Sequence, residues 1–185
     1  MAKGRATPSL PDAESTSSSS VIETKGLSAK HVSMVTNFLR SVGVGVSDSI
    51  PDNCNTKEFY SDIIRDTIKP DLLLRGRVNC LLTVKPTVAN FYGSLHGGAV
   101  AAVAEMVSIA CVRTVVAEDK EIFLGDLSIS YLSAAPMNAE VIVDGSVLKS
   151  GRNLTVVGME FKLKKTGQLA YTARAVFYNM PIAKL

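Results

Sequence analysis

From Gly97 to Ala117 only Glu105 and Arg113 are charged, and nearly every other side chain is apolar or small. A helix apolar on almost every face has to be enclosed by the rest of the fold. A membrane span competes for such a run, but the two charges interrupt it, and neither a second apolar span nor a flanking charge asymmetry accompanies it. The chain is therefore expected to build its other elements around one long central helix, spanning residues 95–117.

Glu105 is the exception inside that helix. An ionised carboxylate is costly to bury unless it is paired or put to use. Just upstream, the segment Asn90-Phe91-Tyr92-Gly93-Ser94-Leu95-His96-Gly97-Gly98 sets two glycines at the helix start. Backbone N–H groups there are free to receive an anion or a polarised carbonyl. Acid and glycine turn together point to chemistry at a carbonyl group. The purely structural alternatives are an ion pair of Glu105 with Arg113 or Lys120, and a His96 satisfied by backbone.

Composition narrows the partners. The 185 residues suffice for one domain with a real core, and 46% hydrophobic with 20% charged residues is a globular profile. A net charge of +3, no Lys/Arg run interleaved with aromatics and no tryptophan give no basis for nucleic-acid binding. The cysteines, Cys54, Cys80 and Cys111, are odd in number and widely spaced. They argue against a disulfide framework or zinc site and for a reducing compartment. With only His31 and His96 as histidines, neither a metal nor any other cofactor is expected.

Residues 1–25 read as a disordered low-complexity tail, with Pro8, Pro11 and the Ser17–Ser20 tract. Residues 26–70 read as a helical extension. Val32, Val35, Phe38, Leu39 and Val42 recur at helical spacing, and a second helical pattern at 58–68 is closed by Pro70. Residues 71–181 form the main domain: one strand over 72–88, the long helix, then strands over 122–132, 140–148, 154–164 and 169–179. Alternation puts Ile142 with Leu148, Val157 with Phe161 and Leu163, and Tyr171 with Ala173, Ala175 and Phe177 on common strand faces. The fold class is α+β, a curved antiparallel sheet covered by one helix. Residues 182–185 form a C-terminal tail.

The chain resembles the hotdog-fold acyl-CoA thioesterases, most nearly the small phenylacetic-acid-pathway type. The residues that carry the likeness are Asn90, Gly93 and the His96-Gly97-Gly98 turn, the helix acid at 105, Asp126 with Tyr131-Leu132-Ser133-Ala134-Ala135, and Val147 through Leu154. It covers residues 75–181. The resemblance implies a hotdog fold, an acyl-CoA substrate of which coenzyme A is part, and a homodimer with its active site at the interface, paired again into a tetramer. Spacing adds an independent argument for the interface. Nine residues separate His96 from Glu105, so the two side chains lie on opposite helix faces about 13 Å apart along the axis. One subunit does not readily bring both to one carbonyl; two subunits about a two-fold axis do.

The resemblance also implies the roles. Gly97 N–H would hold the oxyanion of the attacked thioester, assisted by the helix dipole. Glu105 of the partner subunit would act as general base on a water, or as nucleophile. Asn90 and His96 would orient the thioester and the water. The block Tyr131, Leu132, Ser133, Ala134, Ala135 and Pro136, the turn Lys149, Ser150, Gly151, Arg152, Asn153 and Leu154, and Tyr178 would line the coenzyme A channel. One departure stands out: the family often carries Ser or Thr two residues before Asp126, where this chain has Leu124. That position favours, as alternatives to a hydrolase, a non-catalytic acyl-CoA-binding module; a hotdog hydratase or dehydratase is the other.

For location, the N-terminus lacks an apolar signal-peptide core, and Asp12 and Glu14 count against a transit peptide. Ala183-Lys184-Leu185 is a conservative variant of the Ser-Lys-Leu peroxisomal address, so peroxisome or cytoplasm is expected.

Overall fold

The computed structural model describes residues 22–41, 44 and 63–181. The expected disorder of the tail, the peroxisomal ending and Cys54 lie outside the described residues. The central helix is present as α2, Gly97–Arg113. It is shorter than 95–117 because both ends are capped. His96 is extended (φ −66°, ψ 134°) and its ring caps the first turn. At the other end Thr114 Oγ1 donates to Cys111 O at 2.7 Å, which turns the chain out of the helix.

Seven strands form one sheet: β1 (Glu23–Lys25), β2 (Ile68–Leu74), β3 (Arg77–Thr83), β4 (Lys120–Tyr131), β5 (Glu140–Ser150), β6 (Leu154–Leu163) and β7 (Leu169–Pro181). Their spatial order is β1-β2-β3-β5-β6-β7-β4. All neighbours are antiparallel except β1 and β2, so the sheet is mixed rather than wholly antiparallel. This is the hotdog arrangement, a sheet packed on α2. Val100, Val103, Val107 and Cys111 meet Val78 and Leu82 of β3, Val141 and Val143 of β5, Phe161 of β6 and Phe177 of β7 in one buried core. Each fully buried valine or phenylalanine contributes about 1.5–3 kcal/mol relative to exposure.

Several sequence expectations are corrected. The single strand over 72–88 is the hairpin of β2 and β3, turned at Arg75-Gly76, where Gly76 has φ +76°. That turn is anchored from two sides: Gly76 N donates to Thr114 Oγ1 at 2.8 Å and Gly76 O accepts from Val147 N at 2.7 Å. Pro70 does not close a helix; among the described residues only 63–65 are helical there, and Pro70 lies inside β2. Among the described residues β1 pairs only with Leu72–Leu74, so no described strand lies beside Pro70 on that side. Residues 23–25 belong to the sheet, so the tail boundary at 25 falls too late. The boundary at 70 cuts through β2, and the preceding helix α1 (Ala29–Ser41) buries Val35 and Leu39 in the same core as α2.

Ile142 and Leu148 share a face of β5 as expected, and it is the outer one. Val141, Val143 and Gly145 face the core, whereas Leu148 is 63% exposed. Leu148 continues the outward series of residues 142, 144 and 146, and a bulge lies between Val147 and Lys149. The expected inward faces of β6 and β7 are present: Val157 and Phe161, and Tyr171, Ala173, Ala175 and Phe177, are buried. Cys80 and Cys111 are buried free thiols. Burial pushes the Cys80 thiol up to about 12 and raises that of Cys111 as well, so both are structural.

Candidate active site

The glycine turn is built by its own side chains. The ring Nδ1 of His96 accepts from Gly98 N at 3.0 Å, which fixes that nitrogen as acceptor and leaves Nε2 to carry the outward proton. His96 N donates to Val88 O at 2.8 Å, seating the residue at the mouth of α2. Gly97 is the first helical residue, so its N–H has no acceptor within the helix. No other partner for it occurs among the described residues. Tyr131 OH donates to Gly97 O at 3.1 Å, and an added Cβ on Gly97 would meet that ring at 3.3 Å. Tyr131 thus roofs the turn.

Asn90 organises the loop beside it. Its Oδ1 accepts from Tyr92 N at 3.0 Å and Ser94 N at 3.1 Å, and its Nδ2 donates to Ser94 Oγ at 3.0 Å. Gly93, at φ +73°, completes the bend. The amide of Asn90 is engaged in shaping the 91–94 loop rather than projecting from it. At the loop tip Phe91 and Tyr92 are 98% and 89% exposed and pack edge to face.

The 131–136 block is stitched to this loop. Leu95 N donates to Ala135 O at 2.8 Å, Met137 N donates to Gly93 O at 2.8 Å, and Ser94 bridges Pro136. Leu132 N and Ser133 N both donate to Ala170 O. Below, Ala135 N donates to Tyr171 OH at 3.1 Å, and burial raises the pKa of that phenol. The structure therefore gathers Asn90, His96, Gly97 and Tyr131–Pro136 into one assembly.

It does not bring the remaining site residues to that assembly within one protomer. Glu105 is exposed, which corrects the expectation of a carboxylate enclosed by its own chain. It projects from the face of α2 that also carries the half-buried Ala101, Ala102, Met106 and Ile109. Its carboxylate has no ion pair or hydrogen bond among the described residues. Arg113, proposed as a structural partner, donates to Lys120 O at 3.2 Å instead.

The turn from Lys149 to Asn153 and Tyr178 lie at the other end of the sheet. Tyr131 pairs with Tyr171, and Phe123 pairs with Tyr178. Seven residues along β7 separate those pairs, about 23 Å at strand rise. Tyr178 borders a hollow of about 480 Å3 with Phe123, Asn153, Asn179, Met180 and Pro181. Of these, Phe123, Asn179, Met180 and Pro181 escaped the sequence reading. Asn179 carried a signal, a polar residue continuing the inward series of Tyr171 through Phe177.

Leu124 is half-buried and packs on the core from β4. A bulge at Gly125 lets both Leu124 and Leu127 face inward. Ser128, the other hydroxyl nearby, donates to Arg174 O at 3.5 Å. Among the described residues there is no cluster of His, Cys, Asp and Glu suited to a metal, and no helix is long and apolar enough to cross a membrane.

Known proteins match the segment that carries these residues. A family model described as the thioesterase superfamily matches residues 92–170. Acyl-coenzyme A thioesterase 13 of Homo sapiens is 27% identical over 99 residues, covering 54% of this chain and 70% of that protein. The crystal structure of zebrafish thioesterase superfamily member 2 superposes with a TM-score of 0.61 at 24% identity, covering 67% of this chain and 88% of that one. That of thioesterase superfamily member 2 from Mus musculus gives 0.62 at 19% identity, covering 82% and 98%. The narrower phenylacetic-acid-type grouping finds no support among these matches.

Proposed function

We propose that this chain, which matches the thioesterase-superfamily model over residues 92–170, is an acyl-CoA thioesterase, hydrolysing an acyl-CoA to a free acid and coenzyme A. The observation that carries this reading is the glycine turn: an unpartnered Gly97 N–H and an outward His96 Nε2 at the positive end of α2. A thioester carbonyl placed there is polarised in its ground state and held as an oxyanion after attack. Glu105 of the partner subunit takes a proton from water as its oxygen bonds to the carbonyl carbon. The tetrahedral adduct then expels the thiolate of coenzyme A, which receives that proton. Asn90 acts by holding the loop beside the turn.

We place this site at a homodimer interface. β4 is the last strand of the sheet, is twelve residues long and has one edge without a strand among the described residues. A long free edge is a template for pairing with another chain. The outward face of α2 is apolar, only half-buried and carries Glu105, which has no ion pair or hydrogen bond among the described residues. A two-fold axis at the free edge of β4 and perpendicular to the strand covers both and carries Glu105 toward the other subunit's glycine turn. Pairing of dimers into a tetramer follows from the family likeness, and light-scattering mass separates the two states.

The decisive experiment is a panel of fatty-acyl and aromatic acyl-CoA esters with a thiol reagent reading free coenzyme A. Release from at least one ester is expected. Binding without release would favour the acyl-CoA-binding module, the reading that the core-facing Leu124 supports. Formation or loss of an enoyl group with the thioester intact would favour the hydratase.

Localisation is proposed from Ala183-Lys184-Leu185 as peroxisomal, with cytoplasm as the alternative. Removing those three residues from an N-terminally tagged protein is expected to disperse it from peroxisomes; an unchanged distribution would reject the signal.

A further inference from the structure

A buried amide stands near the end of β7 where an apolar side chain is due. Tyr171, Ala173, Ala175 and Phe177 alternate inward, and Asn179 follows them with 5% of its surface exposed. A buried amide is stable only where its hydrogen bonds are met. Here they are met by one segment. Asn179 Nδ2 donates to Gly151 O at 3.0 Å and to Thr155 Oγ1 at 3.0 Å. Its backbone N donates to Asn153 O at 2.9 Å. Thr155 Oγ1 in turn lies 3.4 Å from Ser150 Oγ. Every one of these contacts ends on the turn between β5 and β6 or on the first residues leaving it.

That turn presents Lys149 and Arg152, both exposed and without an ion pair among the described residues. Asn179 also lines the hollow of about 480 Å3 beside it, whose other walls include the rings of Phe123 and Tyr178. Tyr178 lies against Gly125, where any Cβ would collide with the ring. Two cations next to an aromatic hollow match the chemistry of a nucleotide, with phosphates on the cations and a base against the rings.

We propose that Asn179 is a positioning residue that locks the 150–153 turn against the end of β7, so that the cations and the hollow receive the nucleotide half of an acyl-CoA together. The inference rests on the acyl-CoA reading above. It assigns to Asn179 the preference for thioesters that carry the nucleotide over thioesters that end at the pantetheine arm. It gives Asn179 no contact with the reacting carbonyl.

The test compares the full-length wild type, Asn179→Ala and Thr155→Val. Each is assayed on an acyl-CoA and on the pantetheine thioester of the same acyl group, and coenzyme A affinity is measured by calorimetry. Asn179→Ala is expected to raise KM for the acyl-CoA and Kd for coenzyme A about tenfold, the worth of roughly one charge-assisted contact, with kcat and the pantetheine kinetics within about twofold of wild type. Thr155→Val removes one arm of the same network and is expected to move the same two quantities by less; it carries the test should Asn179→Ala not fold. An equal loss on both substrates, or no loss on either, overturns the positioning role. If wild type binds coenzyme A but cleaves no thioester, the thioesterase reading falls while the calorimetric comparison still decides on Asn179. If wild type neither binds nor cleaves, both fall.

Discussion

Glu105→Ala is expected to lower kcat on the acyl-CoA substrate by about a thousandfold, the scale set by losing a positioned general base. KM should change little, because the carboxylate acts on the water and not on the bound thioester. The fold should be nearly untouched: Glu105 is exposed and has no ion pair among the described residues, so its removal lies in the surface range of about 0.5 kcal/mol. Steady-state kinetics with a melting curve check both halves. A variant retaining more than about a tenth of wild-type kcat would remove the catalytic assignment. The same residue tests where the site is. His96→Ser keeps an oxygen cap on α2 but removes the outward Nε2–H. When Glu105→Ala and His96→Ser chains are mixed and allowed to re-associate, half the dimers are mixed, and each of these has one site with both native residues. Activity should return to about a quarter of wild type. If the mixture stays silent, the site does not span two subunits.

The glycine turn and the helix acid were legible because each violates a simple expectation: glycines at the start of a strong helix, and one carboxylate in an apolar run. The strands β4 to β7 were legible from their lengths and short turns. What escaped has physical causes. Residues 140–143 read Glu-Val-Ile-Val, apolar on both strand faces, so period two could not say which face is inward. β1 pairs through backbone alone at the sheet edge, and Glu23-Thr24-Lys25 carries no hydrophobic pattern to announce it. Pro70 is a helix breaker by rule, but it lies within β2, beyond the pairing of β1 with Leu72–Leu74 among the described residues. Glu105 seemed due for burial because α2 is apolar nearly all round. The structure leaves Glu105 exposed and residues 101, 102, 106 and 109 only half-buried, so we assign the apolar character of that face to the proposed subunit contact.

The core makes a second large demand at Gly145. This residue lies on the inner face of β5, and an added Cβ would fall 2.7 Å from Cys111 Sγ and 3.0 Å from Val107 Cγ1. Both neighbours are buried on α2, and α2 is held between the sheet and α1. Neither atom is the free end of a long side chain, so the overlap has to be relieved by moving the helix or the strand. Gly145→Ala is therefore expected to cost about 1–3 kcal/mol, the usual range for overpacking, and to lower the melting temperature by several degrees. Cys111→Ala shortens the nearer obstacle. Combined with Gly145→Ala it should restore part of the loss, leaving the double variant more stable than the sum of the single effects by more than about 0.5 kcal/mol. Denaturant midpoints for the four proteins measure this coupling directly. Simple additivity, or a Gly145→Ala protein as stable as wild type, would mean that the sheet yields and that the helix position is not fixed by this contact. The result also reaches the site, since Val107 and Cys111 lie on the side of α2 away from Glu105. A helix pushed outward at Gly145 carries that carboxylate with it, so kcat should fall in Gly145→Ala even well below its melting temperature and recover in the double variant.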